Sequence, residues 1–163
     1  MMNIPPINLK AQFKTVRRDI LRCIREILDE QKLILGKYCS TLEEMIGNYV
    51  GVPHAITCAN GTDALILSLM ALGVKDGDEV ITTPYTFFAT ASSIALVGAK
   101  PVFVDIEPED MNINPALIER AITPRTKAIT VVHLFGKVCQ MEKICEIGQR
   151  FGIPIIEDMA QFL

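Results

Sequence analysis

From residue 54 onward the chain alternates short, β-branched apolar runs with stretches of helical spacing, and no other feature restricts the fold as much. The runs fall at 54–59, 79–83, 100–105, 127–132 and 153–157. Several are apolar throughout, as at Val131-Val132 and Ile153 to Ile156, the pattern of strands covered on both faces of a parallel sheet. Between them the spacing predicts helices over 62–72, 87–97, 115–122 and 140–151. Gly73 and Gly152 sit just past two helix ends, and Asn114-Pro115 supplies an N-cap followed by proline at the first helical position. Strands alternating with helices imply an α/β domain, a mainly parallel sheet with helices on both faces.

The segment before residue 53 reads differently. Pro5 and Pro6 keep residues 1–8 extended. Phe13, Val16, Ile20, Ile24, Ile27 and Leu28 recur at helical spacing over 9–30. Ser40-Thr41-Leu42-Glu43 has the form of a capping box opening a second helix, which Gly51 closes. Residues 1–52 are therefore read as an arm and helices packing on the main domain, and 53–163 as the α/β domain itself.

With 163 residues, 50% of them hydrophobic and 21% charged, the chain can bury one sizeable core. A net charge of −3 argues against nucleic acid or an anionic membrane as partner. The one basic cluster, Lys14, Arg17, Arg18, Arg22 and Arg25, is broken by Asp19 and Glu26 and reads as a solvated helix face. Five cysteines without CxxC spacing read as reduced thiols of a cytoplasmic protein. His54 and His133 have no close Cys or His neighbour, so no metal site is expected. The N-terminus lacks the pattern of a signal peptide, and no apolar run reaches spanning length.

Ligands of such sheets bind beyond the carboxyl ends of the strands. There the sequence places Asn60-Gly61-Thr62-Asp63 at a helix start, Pro84 to Phe88, the loop Ile106 to Met111, His133 to Gly136, and Glu157 to Gln161. A helix start with unpaired N–H groups and a hydroxyl is an anion site; it is equally an ordinary turn with Thr62 or Asp63 as N-cap. Phe87 and Phe88 fit either an aromatic platform or the core, and Asp158 either a ligand partner or an N-cap. His133 reads as a satisfied, partly buried histidine, and Glu157 points away from Asp158 because strand neighbours alternate. Taken together, Thr62, Phe87, Asp158 and Gln161 match what pyridoxal 5'-phosphate requires: a phosphate anchor, a stacking ring, a carboxylate for the pyridine nitrogen and an amide for the ring hydroxyl. No G-x-G-x-x-G follows a strand, which disfavours a dinucleotide.

These motifs in order resemble the DegT/DnrJ/StrS-type sugar aminotransferases. The resemblance rests on Pro6 to Gln12, Ile34 to Gly36, His54 to Ile56, Asn60 to Leu65, Gly77 to Ile81, Pro84 to Phe87 with Ala89-Thr90, Gly98-Ala99, Pro101 to Asp105, His133 to Gly136, and Glu157-Asp158 with Ala160-Gln161. It implies the large domain of a fold-type-I enzyme, with Gly61, Thr62 and Asp63 as the phosphate turn, Phe87 on the cofactor ring, Asp158 on the pyridine nitrogen and Gln161 on the ring hydroxyl. It further implies transfer of an amino group, typically from glutamate, to a keto group of a nucleotide-linked sugar by a homodimer. The family's Schiff-base lysine lies after the Asp-x-x-Gln segment, and no lysine here matches it; Lys137 reads as a surface residue. The sequence therefore matches the N-terminal part of such an enzyme, with 53–163 an incomplete cofactor-binding domain, inactive alone and prone to aggregate at its uncovered sheet edge. Met159 stands where a small residue is more common. Two other readings share these residues: a sugar dehydratase relative with another residue in place of the lysine, and a non-catalytic family member that only dimerises.

Overall fold

Four parallel strands carry the fold: β1 (Glu79–Thr82), β2 (Lys100–Phe103), β3 (Thr126–Val132) and β4 (Ile155–Asp158), in the order β2-β1-β3-β4. In this computed structural model residues 7–162 are described, so most of the arm expected over 1–8 lies outside the described residues. The helices are α1 (Leu9–Glu30), α2 (Lys37–Val50), α3 (Gly61–Ala71), α4 (Phe88–Leu96), α5 (Pro115–Ala121) and α6 (Met141–Phe151). The chain divides between Thr57 and Cys58 into two compact units.

In the second unit the sheet is covered on both faces. Strand residues alternate between two cores. Ile81, Ile129 and Val131 pack with Ile118 of α5 and Ile144 and Ile147 of α6. Val80 and Ala128 pack with Leu69 of α3 and Ile94 of α4. All four residues of β1 are buried, as expected of a central parallel strand. Asn114 caps α5 through Ala116 N–H at 2.8 Å, with Pro115 at the first helical position, and Gly152 ends α6 in the left-handed region at φ 67°. In the first unit α1 and α2 are amphipathic; α1 has no fully buried residue, and the apolar stripe Phe13, Val16, Ile20, Ile24 and Leu28 is exposed.

Three local expectations are corrected. Residues 54–59 form no strand and pair with none among the described residues; a ladder needs a neighbour's edge, and the Thr57 N–H and hydroxyl instead donate to Glu43, each at 2.8 Å. The capping box is absent because α2 starts at Lys37 behind Gly36, and the Glu43 carboxylate is held below the ordinary glutamate value by the Thr57 N–H and hydroxyl. The N-cap of α3 is Asn60 rather than Thr62 or Asp63. Its Oδ1 accepts from Asp63 N–H at 2.9 Å, and its Nδ2 donates to the Asp63 carboxylate at 3.0 Å.

At the amino ends of the strands a single carboxylate ties the sheet together. Glu79 is buried, and its carboxylate accepts from the Thr123 hydroxyl at 2.6 Å and from Arg125 Nη2 at 2.6 Å and Nε at 3.2 Å, with Lys100 Nζ at 3.9 Å. The Thr123 hydroxyl first, then Arg125, holds Glu79 below the ordinary value of 4.5. A carboxylate whose folded pKa is lowered stabilises the fold above its unfolded pKa, and that contribution is lost as pH falls through the folded value. Glu79→Gln should therefore destabilise the protein at neutral pH and flatten the decline of stability below about pH 4.5. Denaturant melts of both proteins from pH 7 to pH 3 test this; parallel acid limbs would refute it.

Candidate functional site

One cleft of about 330 Å³ opens at the carboxyl edge of the sheet, on the face that carries α3 and α4. That volume is at the lower end of the range for small-molecule sites. Gly61, Thr62 and Leu65 of α3 line one side, with Thr86, Phe87 and Ala89 at the start of α4. Val132 at the end of β3 and Leu134 just beyond it form the floor, and Asp158 at the end of β4 closes it with Ala160 and Gln161. A second cavity of about 70 Å³, beside Lys32 and Tyr38 in the first unit, is too small for a cofactor.

Each wall has a local cause. Asn60 satisfies Asp63 N–H, and the Asn60 carbonyl accepts from Ala64 N–H at 3.1 Å. The N–H groups of Gly61 and Thr62 have no acceptor among the described residues and sit at the positive end of α3. A Cβ at Gly61 would meet nothing within 4 Å, so the space in front of this turn is open. Phe87 is the N-cap residue of α4, in extended conformation at φ −67°, ψ 143°. It is 74% exposed and Phe88 79%, so neither aromatic belongs to the core.

Asp158 is the last residue of β4 rather than the start of a helix. Its Oδ1 accepts from Ala160 N–H at 3.2 Å and its Oδ2 from the Thr90 hydroxyl at 3.3 Å. Alternation along β4 sends Glu157 to the other face. There His133, 1% exposed, lies with Nε2 2.9 Å from Glu157 Oε2, while its Nδ1 accepts from Cys139 N–H at 3.2 Å. Accepting at Nδ1 places the ring proton on Nε2, which donates to Glu157. His133 is thus satisfied and faces away from the cleft. Gln161 Oε1 accepts from Phe135 N–H at 2.6 Å, which fastens the end of the chain to the turn Leu134–Gly136.

Five of the six residues singled out in the sequence, Gly61, Thr62, Phe87, Asp158 and Gln161, line this one cleft. Asp63 does not; its carboxylate is engaged by Asn60. Sequence reasoning passed over Thr86 and Thr90, whose hydroxyls lie 3.1 Å apart and lead to Asp158. The available signal was their i, i+4 spacing at a helix start. No lysine lines the cleft, Lys137 is exposed, and no cluster of metal ligands is present among the described residues.

A helix start with two open N–H groups, an exposed aromatic and a carboxylate thus meet on one edge of a parallel sheet in an α/β protein. The model of the DegT/DnrJ/EryC1/StrS aminotransferase family matches residues 14–163, and the chain belongs to that family. It is 48% identical over 155 residues to the UDP-2-acetamido-2-deoxy-3-oxo-D-glucuronate aminotransferase of Pseudomonas aeruginosa, covering 95% of this chain and 43% of that protein. It is 47% identical to the UDP-N-acetyl-3-dehydro-alpha-D-glucosamine 3-aminotransferase of Acidithiobacillus ferrooxidans, covering 97% and 43%. Among solved structures, S. venezuelae DesV superposes with a TM-score of 0.96 at 35% identity, over 99% of this chain and 44% of that one. NtdA of Bacillus subtilis with bound cofactor PMP gives 0.95 at 35% identity, over 100% and 38%. The chain spans less than half the length of these relatives. Its fold is that of the N-terminal part of a fold-type-I aminotransferase large domain.

The cysteines differ in exposure. All five are free; Cys58 and Cys145 are exposed, whereas burial pushes the Cys139 thiol up to about 11. Its Sγ donates to the Val132 carbonyl at 3.2 Å. A thiol-alkylating reagent at pH 8 should modify Cys58 and Cys145 in the native protein and Cys139 only after denaturation. Peptide mass analysis reads this directly, and native labelling of Cys139 would contradict the burial.

Proposed function

We propose that these residues form the cofactor-binding part of a pyridoxal-phosphate-dependent aminotransferase that moves an amino group, from glutamate, to a keto group of a nucleotide-linked sugar. The observation that carries the reading is the convergence of Thr62, Phe87, Asp158 and Gln161 on one cleft. The donor set fits the cofactor. Two open N–H groups and the Thr62 hydroxyl suit the phosphate, with Gly61 leaving room for it. Phe87 offers an exposed ring for stacking. The Asp158 carboxylate, with two donors already in place, retains capacity for the pyridine N–H. Gln161 keeps its amide N–H₂ for the ring hydroxyl, because only its Oε1 is used by Phe135 N–H.

When bound, the cofactor supplies the electron sink that lets the donor's α-carbon release its proton. Asp158 would hold a proton at the ring nitrogen, Phe87 would stack on the ring, and Thr62 with the start of α3 would anchor the phosphate. Among the described residues no lysine lines the cleft, so none of them is proposed to form the Schiff base. Homodimerisation belongs to the same reading and accords with the exposed apolar stripe of α1. No described helix is long and apolar enough to cross a membrane, which suits a cytoplasmic enzyme.

The test is spectroscopic. In the intact protein the visible band of bound pyridoxal phosphate should fade on adding glutamate and return on adding a nucleotide-linked keto sugar. Thr62→Val should weaken cofactor retention by about tenfold, the loss of one hydrogen bond to a charged group. The 163-residue chain alone should show no amino transfer. Failure of the intact protein to retain the cofactor would refute the proposal. A persistent band with glutamate but loss of a sugar hydroxyl would instead select the dehydratase reading.

A further inference from the structure

Resting on the cofactor reading above, we propose that Thr90 is the positioning residue for Asp158, aiming its carboxylate into the cleft from the end of a hydroxyl chain that begins at Thr86. Thr90 is 1% exposed and sits in the first turn of α4. A threonine inside a helix ordinarily returns its hydroxyl to a carbonyl one turn back. Thr90 instead has Oγ1 3.3 Å from Asp158 Oδ2 and 3.1 Å from Thr86 Oγ1, a link across 68 residues of sequence.

The directions of these bonds follow from valence. An ionised carboxylate only accepts, so the single proton of the Thr90 hydroxyl goes to Asp158. Thr90 then has only lone pairs to offer Thr86, and Thr86 must donate. The chain is polarised in one sense, Thr86 to Thr90 to Asp158, and each bond strengthens the next. On the other side Ala160 N–H holds Oδ1 at 3.2 Å. The carboxylate is therefore fixed through both oxygens. The same turn that carries Thr90 also begins with Phe87, whose carbonyl accepts from Thr90 N–H at 3.1 Å. One helical turn thus sets the aromatic wall and the carboxylate relative to each other. A purely structural residue here would be served as well by valine, which has the same shape and no hydroxyl to satisfy.

The experiment compares Thr90→Val, Thr90→Ser and Thr86→Val with the parent, all as the intact protein. Affinity is measured for pyridoxamine 5'-phosphate and for its 1-deaza analogue, in which carbon replaces the ring nitrogen that Asp158 would meet. Thr90→Val should weaken pyridoxamine phosphate binding about tenfold and leave the deaza analogue within about twofold, while Thr90→Ser should restore binding to within about threefold. Thr86→Val should move the ratio of the two affinities in the same direction by less, and it carries the test if Thr90→Val does not fold. Equal losses for both ligands would mark Thr90 as merely structural, and unchanged affinities would likewise overturn the proposal. A parent protein that binds neither ligand would overturn the cofactor reading itself and this inference with it.

Discussion

Burial of the central strands on both faces is the constraint on which the rest of this structure depends. β1 and β3 from Ala128 onward are buried on both sides, so their residues alternate between the α5/α6 core and the α3/α4 core. Parallel strands force every crossover through a helix, and all carboxyl ends then fall on one edge. The cleft is a consequence of that geometry. Phe87, Asp158 and Gln161 are far apart in sequence and meet because each follows or ends a strand that points the same way, while Thr62 joins them from the start of α3.

The two edges of the sheet divide the work. At the amino edge the buried Glu79 carboxylate of β1 is satisfied by Thr123 and Arg125, just before β3, with Lys100 of β2 nearby. At the carboxyl edge polar groups are left open toward the cleft: two N–H groups of α3, the amide of Gln161 and the remaining lone pairs of Asp158. A buried polar group left unpaired is costly, so their openness is tolerated only where solvent or a ligand reaches them. His133 shows the contrast. One residue beyond β3, on the opposite face from Asp158, it has both ring nitrogens engaged and packs edge-on to Phe162 at 5.7 Å.

Much of this was legible in the sequence because burial dictates composition. Ile129 to Val132 cannot be anything but an interior strand, and Asn114-Pro115 announces its own helix. What was not legible depended on partners distant in sequence. Residues 54–59 have a strand's composition, but Thr57 donates to Glu43 rather than to a neighbouring strand. The capping box read at Ser40 failed because α2 already begins at Lys37, which puts Ser40 to Glu43 inside the helix. Asn60, Thr62 and Asp63 are all competent N-caps, and only the backbone turn decides that Asn60 serves. Thr90 gave no signal alone, because a threonine near a helix start is commonplace until Asp158 arrives beside it.

A crystal structure of the intact protein grown with pyridoxamine 5'-phosphate decides whether this edge holds the proposed cofactor. The phosphate is expected on Thr62 and the N–H groups of Gly61 and Thr62, the ring against Phe87, and the ring nitrogen within hydrogen-bond reach of Asp158. A ligand bound elsewhere, or in this cleft with its phosphate away from the start of α3, would contradict it.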